Sequence, residues 1–291
     1  MRYILYIKKI VICILLIIPL FCRGQNQITR HGSSQNNESK HSEIRTVDNK
    51  RNAVISDPRL LTDYSQIKIG DWMTEDGRYS HEKISGISYV GVVFSLNPSL
   101  KDKTKGWTHG YIVALEDAKR GKCPWGPKKD IAEIPNMDYL STSKLMNDKD
   151  GYYYTNCPPI KLSSKNAFYY ACNYSANLPD SFSSWFLPSV GLWVEIISNL
   201  GKVEVSKAVR NTSTGYSEIM FDSETALCNL QKYGFKVNDC YWTSNESEKV
   251  EGYLHEAWVI WLSKKFNSDY SYFYVLVKET SLMNVRAVAA F

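Results

Sequence analysis

The chain has 291 residues, 44% hydrophobic and 22% charged, with 20 Tyr, 10 Phe and 8 Trp, a globular and aromatic-rich composition. Its formal charge of +5 comes from the leader: Arg2, Lys8, Lys9 and Arg23 stand among the first 24 residues without an acid, and beyond them 31 basic residues face 30 acidic ones. A near-neutral chain lacks the clustered cations that displace counterions from phosphates, so nucleic acid is excluded as a partner.

The N-terminus has the grammar of a secretory signal, with Lys8 and Lys9 ahead of a short apolar run from Ile10 to Phe21. Cys22 and Gly24 are small residues at minus three and minus one for cleavage before Gln25. The run is shorter than the roughly 20 apolar residues that span a bilayer, so no transmembrane span is expected in the mature chain. The rival reading is a lipoprotein signal acylated at Cys22. Against it, Phe21 is large where a small residue is expected and Pro19 stands where Leu is usual. Either way the protein is exported, secreted or held at the cell surface or outer membrane.

Residues 25–65 are polar, centred on Ser33-Ser34-Gln35-Asn36-Asn37, and cannot bury enough apolar surface to offset their ordering entropy. They read as a tether, with a strand around Ala53 to Ile55 as the alternative. About 220 residues then remain, from residue 66 to 291, enough for one domain. Five cysteines follow the leader: Cys123, Cys157, Cys172, Cys228 and Cys240. An odd number leaves at least one unpaired. Cys228 and Cys240, about a dozen residues apart, are the first candidates for a bridge, although pairing does not follow from sequence. No Cys-x-x-Cys is present, which removes zinc ribbons and thioredoxin-like chemistry.

Within the domain, Ile67 to Met73 and Arg78-Tyr79 flank Asp76-Gly77, a hairpin signal. Tyr89 to Phe94 and Tyr111 to Leu115 are apolar β-branched runs that predict buried strands, with a Lys/Asp-rich loop between them. Ser163 or Ser164 is placed to cap a helix through Ala167, Phe168, Ala171, Cys172 and Tyr174. Ser189 is placed to cap a second, from Val190 to Leu200, stopped by Gly201. A third runs from Glu224 to Tyr233 and ends at Gly234. Tyr241 to Thr243, Ala257 to Leu262, Tyr270 to Lys278 and Val285 to Phe291 then read as strands. Early strands, central helices and late strands predict an α+β fold with a mainly antiparallel sheet. No repeat of fixed period is present.

Gly91-Val92-Val93-Phe94, His109 to Ala118, Trp185-Phe186-Leu187-Pro188-Ser189, Tyr241 to Glu246, Ala257-Trp258 and Val285 to Phe291 occur in that order. Together they resemble a C-type-lectin-like domain of exported surface proteins and lipoproteins of Bacteroidetes, often found beside fimbrillin-like modules. The resemblance covers about residues 67–291. It implies a twisted antiparallel sheet flanked by two or three helices, with the N- and C-terminal strands adjacent. Calcium-dependent lectins carry Glu-Pro-Asn or Gln-Pro-Asp followed by Trp-Asn-Asp; neither string occurs here, and Trp242 precedes Thr243-Ser244. A formylglycine-generating relative would need a reactive cysteine pair near the end of the domain, and no cysteine follows Cys240.

The site candidates are aromatic. In Tyr241 to Glu246, Trp242 offers a face for a sugar ring, with Asn245 and Glu246 as hydrogen-bonding groups. The structural alternative has Trp242 and Trp258 filling the sheet core and Glu246 paired with Arg286. Structural roles are likewise assigned to Trp185 and Pro188. Strand period places Tyr270, Tyr272 and Tyr274 on one face, available as an adhesive ladder or covered by a loop, and Phe273, Val275 and Val277 on the other. Tyr152-Tyr153-Tyr154 is a similar cluster. His81-Glu82 and His255-Glu256 each lack the second His of a zinc helix, so no metal is expected. No Gly-x-Ser-x-Gly elbow, Walker or Rossmann pattern occurs, and no cofactor is expected. The sequence therefore reads as a non-catalytic envelope module binding a surface glycan or a protein. The alternative is a structural or tip-associated subunit of a surface appendage, docked on an envelope or fimbrial protein. A formylglycine-generating-like enzyme is the third reading.

Overall fold

The structure, a computed structural model, describes residues 57–161, 165–211, 216–236, 239–247, 255–262, 270–278 and 280–291. The signal peptide, Cys22, most of the tether, the Ala53 to Ile55 alternative and the Ser163/Ser164 cap lie outside them. The body begins before the expected boundary at residue 66. Leu61 exchanges backbone hydrogen bonds with Tyr79, and Asp63 caps the turn Tyr64–Gln66 by accepting from the Ser65 N–H at 2.9 Å. Leu61 and Tyr64 pack on the core, apolar surface that a polar average over the segment hides.

Strands β1 (Trp72–Met73) and β2 (Tyr79–Ser80) form the hairpin predicted at Asp76-Gly77. Gly77 adopts φ 82°, where a side chain would be strained. β1 continues onto β3 (Gly91–Ser95), β3 onto β4 (Tyr111–Asp117), and β4 onto β10 (Arg286–Ala290), every pair antiparallel. A second antiparallel sheet has the order β5 (Val205–Asn211), β6 (Tyr216–Asp222), β9 (Tyr270–Val277), β8 (Glu256–Leu262), β7 (Asp239–Glu246). The α+β class and the antiparallel pairing agree with the sequence reading, but two sheets stand where one was expected.

The expected adjacency of first and last strands is corrected. β4 and β3 separate β10 from β1, and Val113 of β4 pairs with Val92 on one side and Val288 on the other. Both edges of β1 are taken, by β2 and β3, so β10 pairs on the edge of β4 that β3 leaves open. The ends meet through side chains and loops instead. The rings of Tyr64 and Phe291 lie 5.4 Å apart, and the Phe291 carbonyl accepts from the N–H groups of His109 and Gly110.

Asn284, just before β10, links the sheets: its carbonyl accepts from the Trp242 N–H at 3.1 Å and its N–H donates to Cys240 O at 2.9 Å. Apolar groups cover both faces. Trp125, Phe168, Trp185, Trp242, Val259 and Ala287 pack together on one side; Trp193, Ile196, Leu227, Tyr241, Trp258 and Val288 on the other. Successive strand residues point to opposite faces, so strands buried on both read as unbroken apolar runs.

The helices keep their places with different caps. Ala167–Cys172 is capped by Asn166, whose Oδ1 accepts from the Tyr169 N–H at 2.8 Å, and it ends short of Tyr174. Val190–Glu195 runs into a π turn, Ile196–Leu200. Ser189 precedes it but makes no side-chain cap, and Gly201 is right-handed at φ −73°. Gly201 is needed for clearance, since a Cβ there would stand 2.3 Å from Ile197 O. Ser223–Leu230 is capped by Asp222 and, through the turn Gln231–Tyr233, stops at Gly234 with φ 81°, as predicted. The sequence reading missed the β5–β6 hairpin and the short helices Leu100–Thr104, Thr142–Met146, Gly151–Asn156 and Pro158–Lys161.

Candidate functional site

Strand β7 carries the stretch singled out for sugar contact, and it is interior. Trp242, Thr243, Ser244, Asn245 and Glu246 are all 0% exposed. Each is used to hold another segment. Asn245 Oδ1 accepts from the Val190 N–H at 2.8 Å, filling the capping role expected of Ser189, and its Nδ2 donates to Asp148 Oδ2. Ser189 instead donates its hydroxyl to Asp148 O. Trp242 Nε1–H donates to Cys123 O at 2.8 Å, and the β7 carbonyl of Thr243 accepts from Trp125 Nε1–H at 2.7 Å. A ligand has no access to Trp242, Asn245 or Glu246 in this conformation.

The pairing of Glu246 with Arg286 is corrected. Glu246 Oε1 meets Lys278 Nζ, and its Oε2 accepts from the Ile131 N–H at 3.1 Å. Lys278, 1% exposed, also donates to Lys129 O at 3.2 Å and lies 4.5 Å from the centre of the Trp125 ring. Burial pushes the Glu246 carboxyl up to about 7, against the pull of Lys278, and burial likewise lowers the ammonium of Lys278. Arg286 belongs to a different centre. It pairs with Asp117 at 2.9 Å, donates to Ala114 O and Gly234 O, and stacks 4.5 Å over Phe235. Sequence could not choose between two cations near the C-terminus, because both choices place opposite charges inside.

The other structural assignments fall in the interior. Trp258 Nε1–H donates to Met137 O at 2.8 Å, Trp185 Nε1–H donates to Ala176 O at 2.7 Å, and buried Pro188 accepts at its carbonyl from the Ser244 N–H. On β9, Phe273 is buried as the core face requires, and Val275 packs beside it. Tyr274, from the tyrosine face, also packs on a core, 5.6 Å from Trp261 and in hydrogen-bond contact with Cys240. The side chains of Tyr270 and Tyr272 lie outside the described residues. Tyr152, Tyr153 and Tyr154 are helical; Tyr154 is buried on Asp148 and Tyr152 stacks on Trp107. The bridge between Cys228 and Cys240 does not form: none of the five described cysteines is in a disulfide, Cys228 is exposed and Cys240 lies on Tyr274. Among the described residues no cluster of three His, Cys, Asp or Glu is placed to hold a metal.

An accessible concave surface lies beside β7, and of the candidates read from the sequence Tyr154 lines it. A groove of about 580 Å³ opens between residues 97–103, 135–137 and 143–154. Pro98, Leu100, Pro135 and Met137 supply its apolar lining; Pro98 and Met137 are buried beneath it, Pro135 is exposed and Leu100 is 81% exposed. Asp148 belongs to the lining but is largely buried, accepting from Asn245 Nδ2, the Tyr154 hydroxyl and the Asp150 N–H; burial raises its carboxyl. The hub on β7 thus fixes one wall. Its lining residues are scattered over three loops, which is why no local motif announced it.

No family model and no curated protein matches the chain. Among solved structures, a fimbrial protein from Bacteroides ovatus ATCC 8483, determined at 1.85 Å, matches with a TM-score of 0.45 and 13% identity. The match covers 77% of this chain and 49% of that one, so the chain spans about half the length of that structure. A likeness at this level falls short of a shared fold and carries nothing about function. Among the described residues no helix is long and apolar enough to cross a membrane.

Proposed function

We propose that the folded body is a non-catalytic envelope-surface module that docks a partner protein, as a structural or tip-associated subunit of a surface appendage. The observation that carries this reading is the contrast between β7 and the groove. The aromatic and amide groups suited to stacking and hydrogen-bonding a sugar are sealed inside, while the apolar side chains that the groove exposes are Leu100 and Pro135, and its one aromatic, Tyr154, is buried. Sugar sites rely on exposed ring faces; aliphatic walls suit a peptide. Glu246, with a carboxyl near neutrality, has the titration of a general acid, but it is closed off by Lys278, Ile131 and Trp125.

Export is the part of the proposal that rests on the leader alone. The test is to shear surface appendages from cells producing the chain and measure its ratio to the main appendage protein, alongside a glycan array with the purified chain. A fixed ratio with no sugar binding is expected. Reproducible sugar binding without appendage association would replace the proposal with glycan adhesion.

A further inference from the structure

Two cations at the groove have no ionic partner. Lys149 is held by Glu195 at 2.5 Å, Asp150 is paired with Lys101, and Asp148 is buried with three donors on its carboxylate. The ammonium groups of Lys103 and Lys144, both exposed in the lining, make no hydrogen bond or ion pair among the described residues. Two uncompensated cations therefore flank an aliphatic trough whose most exposed member is Leu100.

We infer that the groove docks an acidic, apolar segment of a partner protein, its carboxylates on Lys103 and Lys144 and its aliphatic side chains against Leu100 and Pro135. Charge complementarity selects this occupant. The chain's own residues 25–56 do not fit, since they hold Arg30, Lys40, Arg45, Lys50 and Arg51 against Glu38, Glu43 and Asp48. Ion pairs at the rim set register and encounter rate, while the apolar contacts supply most of the affinity. The inference rests on the protein-docking reading and adds the chemistry of the docked segment.

The experiment uses the isotope-labelled mature chain and two synthetic peptides of equal length, one alternating Glu and Leu, the other alternating Lys and Leu. The Glu/Leu peptide is expected to shift amide resonances of residues 97–103, 136–137 and 143–150, and the Lys/Leu peptide to leave them in place. Lys103→Glu with Lys144→Glu should weaken binding at least tenfold, Leu100→Ser should also weaken it, and Lys103→Arg with Lys144→Arg should preserve it. These positions are exposed, so thermal unfolding of the variants is expected to match the parent. No shift, shifts elsewhere, or equal binding of both peptides overturns the inference. Groove shifts that appear on concentrating the chain alone, or on deleting residues 25–56, also overturn it, by assigning the groove to a second copy or to the chain's own N-terminal segment. A peptide that fails while the chain still co-isolates with an appendage removes this inference and leaves the docking reading standing. Groove binding by a chain that never co-isolates with one removes the docking reading instead.

Discussion

Glu246 and Lys278 are the residues on which the interior beside β7 depends most. Their charges are buried at 0% and 1% exposure and meet each other, so removing either strands the other in a medium that solvates it poorly. Above about pH 7, Lys278→Met is expected to cost about 3–5 kcal/mol in urea denaturation, the cost of a broken buried pair, and Glu246→Gln, which matches the neutral carboxyl that burial favours, clearly less. The double variant should lose clearly less than the two losses together, because no charge is left unpaired. Glu246→Gln combined with Arg286→Ala should be additive, since these side chains share no partner. The titration of Glu246 gives a second outcome. Its carboxyl is raised from 4.5 to about 7 on folding, so the folded chain holds a proton that the unfolded chain releases first. This group's contribution is complete below pH 4.5 and is lost as pH rises through about 7. The difference in melting temperature between the parent and Glu246→Gln should therefore change across that window, and a constant difference would show that the carboxyl is not perturbed.

At the scale of the element, β7 works as an internal post. It pairs with β8, meets Asn284, and supplies side-chain or backbone partners to Val190, Asp148, Cys123, Trp125 and Ile131. Helix Val190–Glu195 is pressed against the backbone of Asp148, whose side chain Asn245 of this post holds, through a glycine: a Cβ on Gly191 would stand 2.3 Å from Asp148 O, a backbone atom that cannot rotate away. Gly191→Ala is expected to destabilise by about 1–3 kcal/mol or more by overpacking. It should also disturb amide resonances of residues 147–150 in the groove wall, whereas Gly121→Ala, with nothing within 4 Å, should leave that wall unchanged. Legibility varied by element. The Asp76-Gly77 hairpin and the stop at Gly234 were readable because each needs a glycine with positive φ. The cap of Val190–Glu195 was not readable, because its acceptor is Asn245, 55 residues away.

Across the whole molecule, two antiparallel sheets joined at Asn284 are covered by apolar residues on both faces. Stability then comes from burial, with no disulfide holding the described residues. Oxidised and reduced preparations should unfold at the same temperature, and Cys228→Ser with Cys240→Ser should leave that temperature near the parent's. A large loss under reducing conditions would show a covalent link this fold does not contain. The antiparallel class, the strands other than β5 and β6, and the helices at Ala167, Val190 and Ser223 were legible because hydrophobic period acts within a few residues. Which strands become neighbours was not, since two apolar edges pair equally well until the full chain decides. The same holds for the site. The sequence left Trp242 and Glu246 with both a ligand-facing and an interior reading, and the tertiary structure, which also buries Asn245, decided for the interior. Three separate loops built the groove beside them, because burial and concavity depend on what the rest of the chain places nearby.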